Sequence, residues 1–366
     1  MNHTPIMPLE ELIVSLCGIP SVSGFEEMST ARLRELLGAH FDECVTDAVG
    51  NHLFFKRCGR KDAPTVLIDA HFDEIGFLVT EVLDGGFVRI APLGGVDPSI
   101  MQAADVILYG KERLRGVVVS TPPHLRAADE KGKLPAIEDM MVDTGYAVPA
   151  DELRERLPVG SPIGFAPYYT VLAGKGEDAR ALAGKSFDNK ACGAAAAYAI
   201  VNTKKEELAA DVCLLFSSYE ETNRLGGVCA AAYRAKPDYA MVIDVNLARV
   251  PDTKNYDTVP YGKGISISVS AATDRRLTQM TRELCEKQDI PFCLCAAPSS
   301  TGTNAASLHL VGAGIPVVDV GLPLKNMHTY NEVISMKDVE TLVSLVRAFI
   351  CSPTLAQQFM EEEATV

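Results

Sequence analysis

The chain has no tryptophan, only seven histidines among 366 residues, and 34 Lys+Arg against 48 Asp+Glu. This shortage of positive charge leaves a formal net charge of −14, which works against binding polyanions, so nucleic acid and anionic membrane surfaces are poor partners. No apolar run approaches the ~20 residues that a membrane-spanning helix needs. The first 20 residues, MNHTPIMPLEELIVSLCGIP, lack a basic start and carry acids from Glu10 on, unlike a secretory signal. Ten cysteines are present, but no Cys-x-x-Cys spacing, and the closest pair is Cys293-Leu-Cys295. They read as reduced, mostly buried thiols of a cytoplasmic protein, not as a disulfide or zinc framework. No fixed-period repeat occurs; the Ala-rich run at 191–199 reads as a tightly packed helix, and the terminal EEEATV as a solvated tail.

What is present is ordinary globular usage, 47% hydrophobic and 22% charged, in a chain long enough for two domains. Apolar, β-branched runs at Thr65–Ala70, Asp211–Ser217, Tyr239–Ile243 and Ile315–Val320 alternate with helical patterns at 8–17, 28–38, 189–204, 274–288 and 337–351. That alternation predicts an α/β fold, doubly wound around a mainly parallel sheet covered on both faces. From Ile75 to about Tyr168 the rhythm breaks into short β runs with turn signals, Asp84-Gly85-Gly86 among them. The expected organisation is a discontinuous catalytic domain, 1–74 and 169–366, interrupted by a small β-rich domain over 75–168.

In open α/β sheets, ligands bind beyond the carboxyl ends of the strands. His71-Phe72-Asp73 follows the first of these runs, Glu220-Glu221 the second, Asp244 the third and His328 the fourth, while Asp188-Asn189 opens the Ala-rich helix. Singly, each residue has an ordinary explanation: an aspartate as a cap or strand end, the glutamate pair as a solvated loop. His71-x-Asp73 says more, because a carboxylate two residues on can orient an imidazole. His40, His52 and His309 lack acidic partners at useful spacing and read as structural; His3 lies in a terminus expected to be mobile. Five elements thus send imidazoles and carboxylates to one sheet edge, a set suited to two divalent ions that share a carboxylate, with Zn, Co or Mn all acceptable. Two such ions can polarise a carbonyl and activate water, and a carboxylate left free could move the proton to a leaving amine.

The segments DAHFDEIGFLV, KSFDNKACGAAAA, YEETNRLGG, MVIDV and LPLKNMHTYNEV resemble the metal-site motifs of the tetrahedral-aminopeptidase family of dinuclear metallopeptidases. That family includes glutamyl and deblocking aminopeptidases, some of them labelled endoglucanase. GIPSVSGFEE, TDAVGNHLF, PLGGVDPSI, GVVVSTPPH and MVDTGY extend the similarity nearly end to end. The resemblance implies that His71 and Asp244 bind one metal, Glu221 and His328 the other, and that Asp188 bridges them. By the same resemblance Glu220 matches the general base and Asp73 the acid that orients His71. It further implies a PDZ-like inserted domain used for dimerisation, and dimers that can build a hollow twelve-subunit tetrahedral shell acting on peptide substrates.

Dinuclear deacylases and dipeptidases with a similar ligand order carry their extra domain late, between the fourth ligand and the final histidine. Here only 84 residues separate Asp244 from His328, against 117 between His71 and Asp188, so the insertion is early. Departures from the family pattern are Asn223 for a glycine, Asn304 for an aspartate, and Lys325-Asn326 for Arg-Tyr. They are compatible with an active enzyme whose specificity pocket is altered. Arg224 reads as a surface residue. A deacylase of N-acyl amino acids and a catalytically silent assembly protein are the competing functions. A cellulase is disfavoured because the adjacent Glu220 and Glu221 would point opposite ways on an extended backbone. Two bound divalent ions would bring the formal charge from −14 to −10, and the metal-free protein is expected to be the less stable form.

Overall fold

The computed structural model describes residues 6–122, 124–126, 133–172, 180–222 and 225–360. The expectations for His3, Asn223, Arg224 and the tail at 361–366 fall outside them. In chain order the elements are α1 (Leu9–Cys17), α2 (Thr30–Leu37), β1 (Glu43–Thr46), β2 (His52–Lys56) and β3 (Thr65–His71). Next come β4 (Gly76–Val82), β5 (Phe87–Leu93), β6 (Asp105–Tyr109), β7 (Arg113–Val119), β8 (Met141–Asp143), α3 (Ala150–Arg156) and β9 (Pro162–Phe165). Then follow β10 (Tyr169–Leu172), β11 (Ala181–Gly184), α4 (Phe187–Asn202), β12 (Asp211–Ser217), α5 (Gly226–Ala235), β13 (Tyr239–Leu247), β14 (Ile265–Ser270) and α6 (Arg275–Lys287). The chain closes with β15 (Phe292–Ala297), α7 (Ala305–Leu308), β16 (Val317–Lys325), β17 (Glu332–Ser335), α8 (Met336–Ile350) and α9 (Pro353–Met360).

The large sheet has eleven strands, with the main path β1-β2-β12-β3-β13-β16-β17-β11-β10 and with β14 and β15 branching from β16. Its middle, β12-β3-β13-β16, is parallel throughout, and these strands are nearly all buried, which explains their continuous apolar sequences. The wings are antiparallel: β1 with β2, β2 with β12, β16 with β17, β17 with β11 and β11 with β10. The sheet is therefore mixed and not mainly parallel. The physical reason is loop length, since the few residues between β1 and β2, or between β16 and β17, suffice for a hairpin but not for a crossover helix.

Helices cover both faces. Apolar residues of α1, α4, α6, α8 and α9 share one core with Ile68, Leu214 and Val320, and residues of α5 and α7 pack with Leu67, Leu215 and Val317 on the other side. The Ala-rich α4 lies very close to the sheet: a Cβ on Gly193 would come within 2.6 Å of Phe216 Cε1. Small residues make that approach possible. The C-terminus of α4 is closed by buried Lys56, whose ammonium donates to the carbonyls of Ile200 (2.7 Å), Val201 (3.2 Å) and Thr203 (2.6 Å). A cation there satisfies carbonyls that the helix leaves unpaired and complements its dipole.

Between Gly76 and Phe165 the chain forms a closed antiparallel barrel of six strands, β4-β5-β8-β7-β6-β9, around a separate apolar core that includes Phe77, Val106, Val142 and Ile163. The Asp84-Gly85-Gly86 turn joins β4 to β5, with both glycines at positive φ, and a Cβ on Gly86 would collide with the Tyr146 carbonyl. Among the described residues no single helix is long and apolar enough to cross a membrane.

Candidate metal centre

The parallel strands bring the chemistry together. His71 is the last residue of β3 and pairs in register with Ser217 at the end of β12, so Glu220 and Glu221 leave β12 beside it. On its other side β13 pairs with β3 as far as Val242↔Asp69, which carries Asp244 toward His71. Asp244 lies inside β13 instead of just beyond it, because the pairing with β16 continues to Leu247↔Leu324. His328 sits in the β16–β17 connection, and Asp188 lies at the irregular start of α4.

All seven residues singled out in the sequence meet here. His71 Nε2 lies 3.1 Å from Asp188 Oδ1, 3.6 Å from Asp244 Oδ1 and 3.9 Å from Glu220 Oε2. His328 Nε2 lies 3.2 Å from Glu221 Oε2 and 3.5 Å from Asp188 Oδ2. The two oxygens of Asp188 thus face different imidazoles. Ligand atoms of His71, Asp188 and Glu221, and separately of His71, Glu220 and Asp244, all lie within 4.8 Å of one another. The ring of His71 is fixed by its other nitrogen, which donates to the main-chain carbonyl of Asp73 at 3.1 Å and lies 3.5 Å from its carboxylate. That carboxylate accepts the backbone N–H groups of Glu220 (3.1 Å) and Glu221 (3.0 Å) and the Ser23 hydroxyl (2.7 Å).

The electrostatics are those of anions removed from water. Burial, opposed in part by His71 and reinforced by Asp244, raises Glu220 to about 9, and burial next to Asp188 raises Glu221 to about 7. Burial also raises Asp244. Burial opposes ionisation of Asp188 too, but hydrogen bonds from His328 and His71 hold it well below the ordinary range. Hydrogen bonds to Asp188 and Glu221 lift His328 to about 11, and despite its burial the surrounding carboxylates raise His71 well above 6.5. Protons on the imidazoles thus compensate a dense set of carboxylates. Cations can replace those protons, and the mixture of imidazole and carboxylate donors fits Zn, Co or Mn.

Backbone strain marks the same region. Ser186, Tyr219 and His328 have φ values of 58°, 64° and 60°, the first two lying just ahead of Asp188 and Glu220. Such conformations cost energy and persist where the surroundings impose them.

Sequence reasoning missed several supports. Glu26 accepts the backbone N–H groups of Gly24 and Tyr219, each at 3.0 Å, and so holds the residue before Glu220. Glu332 is fully buried beneath the site, and burial beside Asp188 pushes its pKa well above the glutamate range. Gly94 and Gly95, after β5, bring the barrel against Glu221 and His328. Glu26, Gly94, Gly95 and Glu332 lie within the strings GIPSVSGFEE, PLGGVDPSI and LPLKNMHTYNEV, which carried the resemblance without assigning these residues a role.

Of the departures from the family pattern, Asn304, Lys325 and Asn326 fall among the described residues. Asn304 is buried and donates to Asp69 (2.9 Å) and Ser217 (2.8 Å). The Lys325 ammonium rests 3.6 Å from the centroid of the Tyr261 ring, and Asn326 adopts a left-handed φ of 58°.

A family model described as M42 glutamyl aminopeptidase matches residues 50–345. Lysyl aminopeptidase of Pyrococcus furiosus is 28% identical over 93% of this chain and 96% of its own length. Glutamyl aminopeptidase of Lactococcus lactis is 23% identical over 94% and 97%. Among solved structures, the TET aminopeptidase of a marine sediment thaumarchaeon superposes with a TM-score of 0.88 at 28% identity, covering 97% of this chain and 98% of that one. The Pyrococcus horikoshii TET1 peptidase, which can assemble into a tetrahedron or a large octahedral shell, gives 0.80 at 26% identity, covering 94% and 99%. A match across most of the sequence, together with end-to-end agreement in fold, makes this chain a member of the M42 glutamyl aminopeptidase family and a hydrolase of peptide bonds.

Proposed function

We propose that the chain is a dinuclear metallo-aminopeptidase that removes N-terminal residues from peptides. His71 and Asp244 would hold one divalent ion, Glu221 and His328 the second, and Asp188 would bridge them. Zinc or cobalt suits this donor set best, and manganese is also compatible. The observation that carries the reading is the division of Asp188 between the two imidazoles, Oδ1 toward His71 and Oδ2 toward His328. When bound, such ions supply Lewis acidity that activates water and polarises the scissile carbonyl.

The remaining steps belong to the protein. Glu220 is partly buried and already raised to about 9, and cations nearby would lower it toward neutrality, the range a general base needs. It takes a proton from water as the water oxygen bonds to the carbonyl carbon, then returns that proton to the amine nitrogen as the C–N bond breaks. Asp73 holds His71 and the backbone of the Glu220-Glu221 loop through this sequence.

Residues 75–168 are assigned as an inserted, PDZ-like dimerisation domain within a catalytic domain of 1–74 and 169–366. Self-association as a dimer, extending to a twelve-subunit tetrahedral shell, is proposed from the assemblies of its relatives, as is cytoplasmic residence. Relatives bear both lysyl and glutamyl names, so the preferred N-terminal residue is to be found with a panel of aminoacyl-nitroanilides.

Replacement of Glu220→Gln tests the reading. The variant should bind metal normally and lose turnover of aminoacyl-nitroanilides by ~10²–10⁴-fold; cleavage at the unmodified rate would remove Glu220 from the mechanism. Faster hydrolysis of N-acylated than of free-amine substrates would favour the deacylase, and absence of bound divalent ions would favour the silent protein.

A further inference from the structure

Glu332 is the first residue of β17, directly after the connection that carries His328, and pairs in register with Gly184 of β11, just ahead of the segment that carries Asp188. Its side chain is buried, and its two oxygens divide between those two segments. Oε2 accepts the backbone N–H of Asp188 at 3.0 Å, and Oε1 accepts the backbone N–H of His328 at 3.1 Å. Neither residue lies in regular structure that would otherwise fix it: Asp188 departs from helical dihedrals at the start of α4, and His328 stands at φ +60°.

We propose that Glu332 is a positioning residue that sets the separation of Asp188 and His328, and thereby the geometry of the half of the centre formed by Asp188, Glu221 and His328. The inference rests on the reading of these residues as metal ligands. A carboxyl group is suited to the task, because both of its oxygens can accept and, where burial keeps it protonated, its single O–H can turn away from both backbone N–H groups. A glutamine of the same shape has one acceptor and would turn an N–H donor against one of the two backbone N–H groups. An aspartate is one methylene too short to reach both. Partners of metal ligands that touch no metal themselves can control affinity as strongly as 10–100-fold.

The test compares the full-length protein with Glu332→Gln and Glu332→Ala in three measurements. Backbone amide exchange at Asp188 and His328 is followed in the metal-free state, zinc and cobalt affinities are resolved for each of the two ions by chelator competition, and thermal unfolding of the metal-free proteins reports the fold. Glu332→Gln should speed exchange at one of the two amides and Glu332→Ala at both. Each should weaken the ion held by Glu221 and His328 by about 10–100-fold, and the ion held by His71 and Asp244, which shares only Asp188 with this half, by distinctly less. A merely structural role would lower the unfolding temperature without splitting the two affinities. Should Glu332→Ala fail to fold, the isosteric Glu332→Gln carries the test alone. Wild-type affinity for both ions in a folded Glu332→Gln, or unchanged protection at both amides, overturns the proposal. The controls His328→Ala and Asp188→Asn separate the two levels of argument. If they bind two ions as well as the parent does, the metal assignment itself is wrong; if they lose metal and the Glu332 variants do not, only the role of Glu332 falls.

Discussion

The carboxylate of Asp73 accepts the main-chain N–H of Glu221 at 3.0 Å, tying the loop after β3 to the loop after β12. Its other oxygen takes the N–H of Glu220, while its own backbone carbonyl, not its side chain, makes the shorter contact to His71. Two tasks are therefore divided within one residue. The main chain orients the imidazole, and the side chain orients the pair of glutamates.

Asp73→Asn separates those tasks. The main-chain contact to His71 survives, but the new amide group points a donor at a cluster made of two N–H groups and the Ser23 hydroxyl. Steady-state kinetics should show kcat reduced by about 10–100-fold with KM changed far less, because what is displaced is the base and not the substrate pocket. Unchanged kcat would mean that the carboxylate is dispensable and that the backbone contact alone matters.

Metal uptake should release protons. In the metal-free protein His328 is raised to about 11 and His71 well above 6.5, so both imidazoles are protonated at neutral pH and must give up their protons to coordinate. The sign follows directly: affinity for zinc or cobalt rises as pH increases from 6 to 8, and more than two protons leave per chain at pH 7, because the raised carboxyls of Glu220 and Glu221 add to the two imidazoles. Calorimetry in buffers of different ionisation enthalpy measures that number. Binding without proton release would contradict the assignment of these histidines as ligands. Chelation should also lower the unfolding temperature, since ions that bind only the folded chain stabilise it.

The parts of the site that could be read in the sequence share one property, their position at the carboxyl ends of buried parallel strands. His71, Glu220, Glu221 and Asp244 follow or close runs such as TVLIDA and DVCLLFS, whose apolar continuity marks them as central strands. Asp188, opening the Ala-rich helix, and His328, after the run at Ile315–Val320, were legible as well, and the family motifs supplied the individual ligand roles of the whole set. Glu332 and Glu26 lie within the strings LPLKNMHTYNEV and GIPSVSGFEE but were not singled out, since each acts by accepting backbone N–H groups, and a sequence pattern carries no trace of that. The antiparallel wings were missed for a related reason: the edge strands β1 and β10 are four residues long and incompletely buried, unlike the middle strands. Helix α5 went unread because it opens on Gly226-Gly227, which local propensity disfavours. A Cβ on Gly227 would meet the Ser218 carbonyl at 2.1 Å, so close packing overrides that propensity.

The contact between the barrel and the site can be tested at two adjacent glycines. A Cβ on Gly95 would lie 3.0 Å from His328 Nδ1 and 3.3 Å from Cε1, and Gly95 itself is exposed with no positive φ to maintain. Gly95→Ala should therefore leave the stability of the metal-free protein within about 0.5 kcal/mol of the parent and act on the imidazole, moving it by a few tenths of an ångström. Because a displacement of about 1 Å can cost ~10²-fold in rate, a loss of several-fold in kcat is expected, together with weaker binding of one ion. Gly94 differs: it holds φ +84°, and a Cβ there would come within 2.8 Å of Ile75 Cγ2. Gly94→Ala should lower thermal stability as well, since alanine is strained at positive φ. Thermal unfolding of the metal-free variants, set beside their turnover and metal titrations, distinguishes the two effects. If Gly95→Ala kept full turnover and affinity, the barrel's loop would be a neighbour of His328 and not a wall that holds it, and the inserted domain would have no part in shaping the metal centre.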